Sequence, residues 1–245
     1  LGDGTTTTRQ TPVAVGVDSD WTDLTAGSDY TCGLRGTEAA GTLHCWGRNL
    51  DGQLGDGSDV NRLAPVPIGL AADWAAIDAG DSHTCGRRGG ILQCWGRGSD
   101  GQLGRTEAGP FRQPAQVGLA GDWDAVDTGQ YHACGLRDGR LYCWGYNNVG
   151  QLGDGTLTTR SSPTAIGGDS DWTAVATGGE HACALRGGEL YCWGSNALSQ
   201  IGDGTNTNRA TPTRIGVASD WLWITAGRAH SCGLRGSAGI GALYC

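Results

Sequence analysis

The sequence predicts an all-β fold, a five-bladed β-propeller of four-stranded antiparallel blades, and three observations predict it. First, Asp-Trp recurs with its tryptophan at 21, 74, 123, 172 and 221, and the tryptophan of Cys-Trp-Gly recurs at 46, 95, 144 and 193. Second, apolar residues alternate with small or polar ones over short runs, with no sustained helical period. Third, the cysteines fall in regular pairs, Cys32/Cys45, Cys85/Cys94, Cys134/Cys143, Cys183/Cys192 and Cys232/Cys245. A repeat of about fifty residues holding four short strands is the pattern of a propeller blade.

Each unit supplies its strands in a constant order. Asp-Trp-x-x-(Val/Ile/Leu)-x-x-Gly reads as the first strand. A short loop leads to (His/Tyr)-x-Cys-x-Leu-Arg, the second. A Gly-rich turn precedes Leu-x-Cys-Trp-Gly, the third. A polar loop containing Leu-Gly-Asp-Gly leads to Pro-x-x-(Val/Ile)-Gly, the fourth. The units run over about 20–69, 73–118, 122–167, 171–216 and 220–245 of one domain spanning 1–245. The first and last units carry extra residues, in "RGTEAAGTL" and "RGSAGIGAL", between their two cysteines. Extra residues at one place in a repeat indicate a surface turn.

Composition narrows the function classes. The 245 residues include 45 glycines and one phenylalanine, with no methionine, and net charge is -8. An acidic surface repels phosphate backbones, so nucleic acid is not an expected partner. No apolar run has the length of a membrane span. Paired cysteines read as five disulfides and an oxidising compartment, hence a secreted or cell-surface protein. Each pair lies on two adjacent strands of one blade, where facing positions meet disulfide geometry.

The phrase "GxxHxCxLRxGxLYCWGxNxxGQLGDGTxxxRxxPxxI" resembles the regulator-of-chromosome-condensation repeat. Gly129–Ile166 and Gly178–Ile215 carry it most fully. There are departures: Gly98 replaces the loop Asn, Arg105 breaks "LGDG", Tyr30 replaces His, and Ser199-Gln200-Ile201 replaces Gly-Gln-Leu. The best-known members have seven blades, against five units here. The cysteine pairs are foreign to the general pattern, so the resemblance points to secreted, disulfide-bearing bacterial-type members and away from the nuclear exchange factor.

Repeated residues are read first as parts of the fold. His83, His132, His181 and His230 are expected to be buried anchors bonding a neighbouring loop backbone. A zinc site built on His-x-Cys is the competing chemistry, and disulfide pairing argues against it. The tryptophans are expected to wedge between blades, each indole N–H finding an acceptor. Arg9, Arg62, Arg160 and Arg209 are expected to tether neighbouring blades. Asp-Gly in "LGDG" is turn chemistry before it is a calcium loop. No nucleophile elbow, phosphate loop or metal motif stands out, so neither catalysis nor a cofactor is expected.

Function is expected where the units differ. The loop between first and second strands reads "GSDY", "GDSH", "GQYH", "GGEH" and "GRAH". Secreted bacterial members of the repeat type grip a protein target through the corresponding loops. The resemblance therefore implies a binding face at Asp29, Tyr30, Asp81, Ser82, Gln130, Tyr131, Glu180 and Arg228. Trp223, an additional tryptophan in "DWLWI", joins the candidates. The expected function is a non-catalytic extracellular scaffold, inhibitory or otherwise, for a protein partner. A glycan-binding lectin or a self-assembling extracellular subunit is the alternative. Guanine-nucleotide exchange on a small GTPase is the remote one.

The ends are expected to complete one unit. "GIGALYC" stops where Trp-Gly follows in other units, and "LGDGTTTT" begins where Gln precedes. In that reading the segment around Pro12–Val17 is the fourth strand of the last blade and seals a ring. A window from a longer repeat array is the competing reading.

Overall fold

The computed structural model describes residues 1–37, 40–107, 109–237 and 240–245. The surface turns expected in the first and last units fall on 38–39 and 238–239, which lie outside the described residues. The chain divides into two compact units, Leu1–Ser99 with Glu107–Gly121 and Asp100–Thr106 with Asp122–Cys245.

The first unit contains β1 (Trp21–Ala26), β2 (Tyr30–Thr37), β3 (Ala40–Gly47) and β4 (Arg62–Pro67). It continues with β5 (Trp74–Ala79), β6 (His83–Arg88), β7 (Ile91–Arg97) and β8 (Pro110–Gln116). Each group of four pairs antiparallel in sequence order, and a single bridge between Gly41 and Trp74 joins the two groups. The second unit contains β9 (Trp123–Thr128), β10 (His132–Arg137), β11 (Arg140–Gly145) and β12 (Arg160–Ala165). Next come β13 (Trp172–Thr177), β14 (His181–Arg186), β15 (Glu189–Gly194) and β16 (Arg209–Arg214). The last sheet has three strands, β17 (Trp221–Ala226), β18 (Ser231–Ser237) and β19 (Ile240–Tyr244). The result is an all-β, multi-bladed, propeller-like arrangement of antiparallel sheets.

Register explains the cysteines. Cys32 faces Cys45, Cys85 faces Cys94, Cys134 faces Cys143 and Cys183 faces Cys192 across the second and third strands. All four pairs are disulfides, as is Cys232–Cys245. Closing a loop of this length stabilises by roughly 2–3 kcal/mol in the chain-entropy picture.

Two repeated glycines are dictated by close approach. The glycine of Cys-Trp-Gly has φ of +106°, +95°, +105° and +99° at 47, 96, 145 and 194. A Cβ there would meet the backbone of the preceding loop, at 2.6 Å from Asp29 O in the first case. The first glycine of "LGDG" lies on a tryptophan: a Cβ on Gly55 would be 2.5 Å from Trp95 Nε1, and one on Gly153 2.8 Å from Trp193 Nε1. Both positions need glycine because any side chain collides with fixed atoms.

The core of each unit lies between successive sheets. Leu34, Leu43, Leu54, Ile68, Trp74 and Trp95 cluster in the first unit. Leu136, Leu141, Leu152, Ile166, Trp172 and Trp193 form its counterpart in the second. The indole N–H groups of Trp95, Trp144 and Trp193 donate to the carbonyls of Gln53, Gln102 and Gln151, each at 3.0 Å. The Asp-Trp tryptophans differ from expectation. Trp74, Trp123, Trp172 and Trp221 pack edge-to-face on neighbouring aromatics, but their buried N–H groups have no hydrogen-bond partner.

The arginine expectation is corrected. Arg62, Arg160 and Arg209 bond Asp56, Asp154 and Asp203 of their own loops through Nε at 2.7, 2.7 and 2.8 Å. They brace the loop internally and tether no neighbouring blade. Asn49, Asn147 and Asn196 bridge the same aspartates to loop carbonyls. The aspartate is thus committed to a turn and an ion pair. Burial pushes the Asp203 carboxyl up, but bonds from Thr205 and Arg209 outweigh it and hold the group at about 2.

The N-terminal segment repeats this loop. Asp3 bonds Arg9 Nε at 2.8 Å, Gly2 lies on Trp46, and Gly4 N donates to Leu63 O at 2.9 Å. These match Asp56 with Arg62, Gly55 on Trp95, and Gly57 N to Arg112 O. The expected strand at Pro12–Val17 is not formed. Those residues are unassigned to any sheet, and Leu243 of β19 is 66% exposed, whereas its counterparts Leu43, Leu92, Leu141 and Leu190 are buried.

Candidate functional site

The variable loops follow the first strand of each sheet. In the second unit three of them form one row. Gln130 N donates to Gly179 O at 3.2 Å, and Gly179 N donates to Arg228 O at 3.1 Å. Gly179 has to be small, because a Cβ there would lie 2.6 Å from Arg228 O and 3.2 Å from Arg228 Cγ. Gln130, Tyr131, Glu180 and Arg228 are therefore brought onto neighbouring loops. Gln130, Tyr131 and Glu180 are half-buried, and Arg228 is exposed.

In the first unit, Ser28 Oγ bonds Asp81 Oδ1, linking the first two loops. Asp29 is exposed and forms an ion pair with Arg48 at 3.6 Å. Tyr30 and Ser82 are buried. The Tyr30 hydroxyl donates to the His83 carbonyl and accepts from Thr84 Oγ1 at 2.9 Å. Tyr30 thus fills the histidine position of its repeat and presents no surface.

Trp223 stands apart from the loop row. It is 52% exposed near the start of β17, and Arg228 follows the end of that strand. Five residue steps, of which the first three lie in β17, separate them by up to roughly 16 Å. Trp223 occupies the place of Ala76, Ala125 and Ala174 in the preceding units, one residue pair after the recurring bulge.

The histidines only partly meet expectation. His83 and His181 are buried, and burial pushes both imidazoles down to about 4. His181 Nε2 meets the Ser231 hydroxyl at 2.8 Å, which in turn donates to Gln200 O at 2.8 Å. The ring thus reaches the Ser231 side chain and the His230 backbone. Neither ring nitrogen of His83 has a hydrogen bond, and His230 is exposed.

A second variable position went unread in the sequence. The residue after each Trp-Gly is Arg48, Arg97, Tyr146 or Ser195. Its backbone N–H donates to the carbonyl of the loop residue before the second strand: Asp29, Ser82, Tyr131 and Glu180, at 2.8–2.9 Å. Side chains follow the backbone. Tyr131 and Tyr146 meet edge-to-face, with centroids 6.4 Å apart at 90°, and Gln130 Nε2 donates to the Tyr131 hydroxyl at 3.2 Å. The signal was available, because this residue varies directly after the invariant Trp-Gly. Among the described residues no cluster of three His, Cys, Asp or Glu side chains is in position to hold a metal.

The regulator of chromosome condensation (RCC1) repeat matches residues 40–86, 138–185 and 187–234, and a second form of the same repeat matches 123–151 and 172–200. The chain belongs to the RCC1-repeat family. No curated protein matches it in sequence. Among solved structures it is similar to Prp20p from Saccharomyces cerevisiae, whose binding to Gsp1p and histones is described. The identity is 23%, the TM-score 0.81, and the match covers 94% of this chain and 60% of that one. Human WBSCR16 is similar at 24% identity and TM-score 0.79, covering 90% and 61%. Yeast RCC1 (Prp20) bound to Kap60 gives 23%, 0.80, 94% and 58%. These likenesses are of fold, and the chain spans about three fifths of those relatives' length.

Membership corrects several expectations. Secretion, an extracellular surface and a bacterial-type secreted relative are set aside: the RCC1-repeat structures it resembles are yeast Prp20 and human WBSCR16. Cysteine pairing follows from the register of the hairpin and does not by itself fix a compartment. The extracellular scaffold and lectin readings go with it. The expectation of a chain without catalytic activity is corrected too. Among the RCC1-repeat structures it resembles in fold is yeast RCC1 (Prp20). Exchange needs no nucleophile, general acid or metal on the exchange factor, so the absence of such a motif in the sequence did not bear on it. No helix is long and apolar enough to cross a membrane.

Proposed function

We propose that this RCC1-repeat chain is a protein-binding scaffold that acts on a small GTPase as a guanine-nucleotide exchange factor. One observation carries the reading: RCC1 repeats hold unlike loops side by side, Gln130 on Gly179 and Gly179 on Arg228, as one surface. The mechanism is differential binding. A scaffold that binds the nucleotide-free GTPase more tightly than the nucleotide-bound form lowers nucleotide affinity by the same factor. Rigid loops serve this because little ordering entropy is lost on association. The test is release of labelled GDP from Gsp1p, the partner described for Prp20p. Acceleration that falls when Gln130, Tyr131, Glu180 and Arg228 are together replaced by alanine supports the reading. Release unchanged by the chain, with no detectable complex, overturns it.

The architecture proposed for this scaffold is five repeat units, over 20–69, 73–118, 122–167, 171–216 and 220–245.

A further inference from the structure

We propose that the corner formed by Tyr131, Tyr146 and Glu180 binds a cationic side chain, arginine or lysine, of the protein partner. The inference rests on the loop row being the binding face and names what that face recognises.

Three features converge there. The Tyr131 and Tyr146 rings stand at 90°, and Gln130 fixes the Tyr131 hydroxyl. An aromatic face carries negative potential and attracts a guanidinium or ammonium. The bond from Gln130 N to Gly179 O places the two loops side by side, so the next residue on each, Tyr131 and Glu180, are neighbours.

Glu180 completes the corner. Among the described residues it has no ion pair or side-chain hydrogen bond, whereas the first-unit loop carboxylates are engaged, Asp29 with Arg48 and Asp81 with Ser28. Arg228 lies on the adjacent loop with its stem over Gly179 and does not pair with Glu180. A carboxylate beside an aromatic pair is complementary to a cation and not to an anion. The net charge of -8 adds long-range attraction for a basic partner.

The test uses the whole chain, 15N-labelled, titrated with a capped Gly-Arg-Gly peptide and with capped Gly-Glu-Gly. The proposal expects saturable shifts at Gln130, Tyr131, Tyr146 and Glu180 with the arginine peptide alone. Glu180→Gln should weaken binding about threefold, and Tyr146→Leu about fivefold. Equal shifts with both peptides, shifts mapping elsewhere, or Glu180→Gln binding as tightly as the parent would overturn it. The exchange reading fails separately. Arginine-peptide binding at this corner with no Gsp1p complex leaves the corner standing. A Gsp1p complex of equal affinity with and without Glu180→Gln removes the corner alone.

Discussion

Replacing His181 by tyrosine should remove one proton from the acid sensitivity of the fold. His181 and His83 are buried, and burial pushes each down from 6.5 to about 4. The fold therefore favours the neutral ring. Stability from each is fully present above pH 6.5 and is lost as pH falls from 6.5 towards 4. A separation of this size corresponds to about 3 kcal/mol per histidine once pH reaches 4. Between those limits the two together should give a slope of up to about 2.7 kcal/mol per pH unit. The first unit shows what tyrosine does at this position. Tyr30 gives its hydroxyl to His83 O and lies 2.9 Å from Thr84 Oγ1, which is 2.8 Å from Gln53 O. Ser231 is already placed like Thr84, donating to Gln200 O. His181→Tyr should therefore fold with stability at pH 7 within about 1 kcal/mol of the parent. The assay is guanidinium unfolding with disulfides intact, from pH 4.5 to 7.5. The slope should fall by about 1.4 kcal/mol per pH unit in the steep region. An unchanged slope would show that His181 is not held neutral by burial.

Other substitutions separate the structural roles. Gly153→Ala should cost about 3 kcal/mol, because φ is +75° and Trp193 lies 2.8 Å from the new Cβ. Gly204→Ala has φ of +77° and open space around it, and should cost only about 1 kcal/mol in the same guanidinium unfolding assay. Asp154→Ala should cost about 2 kcal/mol and lower the melting temperature, since it strands Arg160, Asn147 and Thr156 at once. Under graded reduction followed by alkylation and mass analysis, Cys232–Cys245 should open first, because Cys245 is exposed while Cys85, Cys94, Cys134 and Cys143 are fully buried.

The blade pattern was legible because its causes are local. Trp-Gly recurs where backbone meets backbone, and cysteines recur where two strands face. The loop candidates were legible as variation within a repeat, but not their division of labour. Tyr30 looked like a surface residue because it differs from histidine, yet it does the same buried work with a longer reach. Tyr146 was hidden because it follows an invariant dipeptide, and only the hydrogen bond to Tyr131 O ties it to the loop. Arg62 and its equivalents were misassigned since a period of one blade cannot distinguish a brace within a loop from a tether between sheets. The compartment was misread because disulfides report on strand register before they report on location.

The central claim is that unlike loops at the ends of the first strands form one protein-binding surface. Hydrogen–deuterium exchange of the chain with and without nucleotide-free Gsp1p tests it most directly. Protection should rise at 129–131, 146, 178–180 and 227–228, with no change in the fourth strands β12 and β16. Protection confined to β12 and β16, with the loop row unchanged, would contradict it.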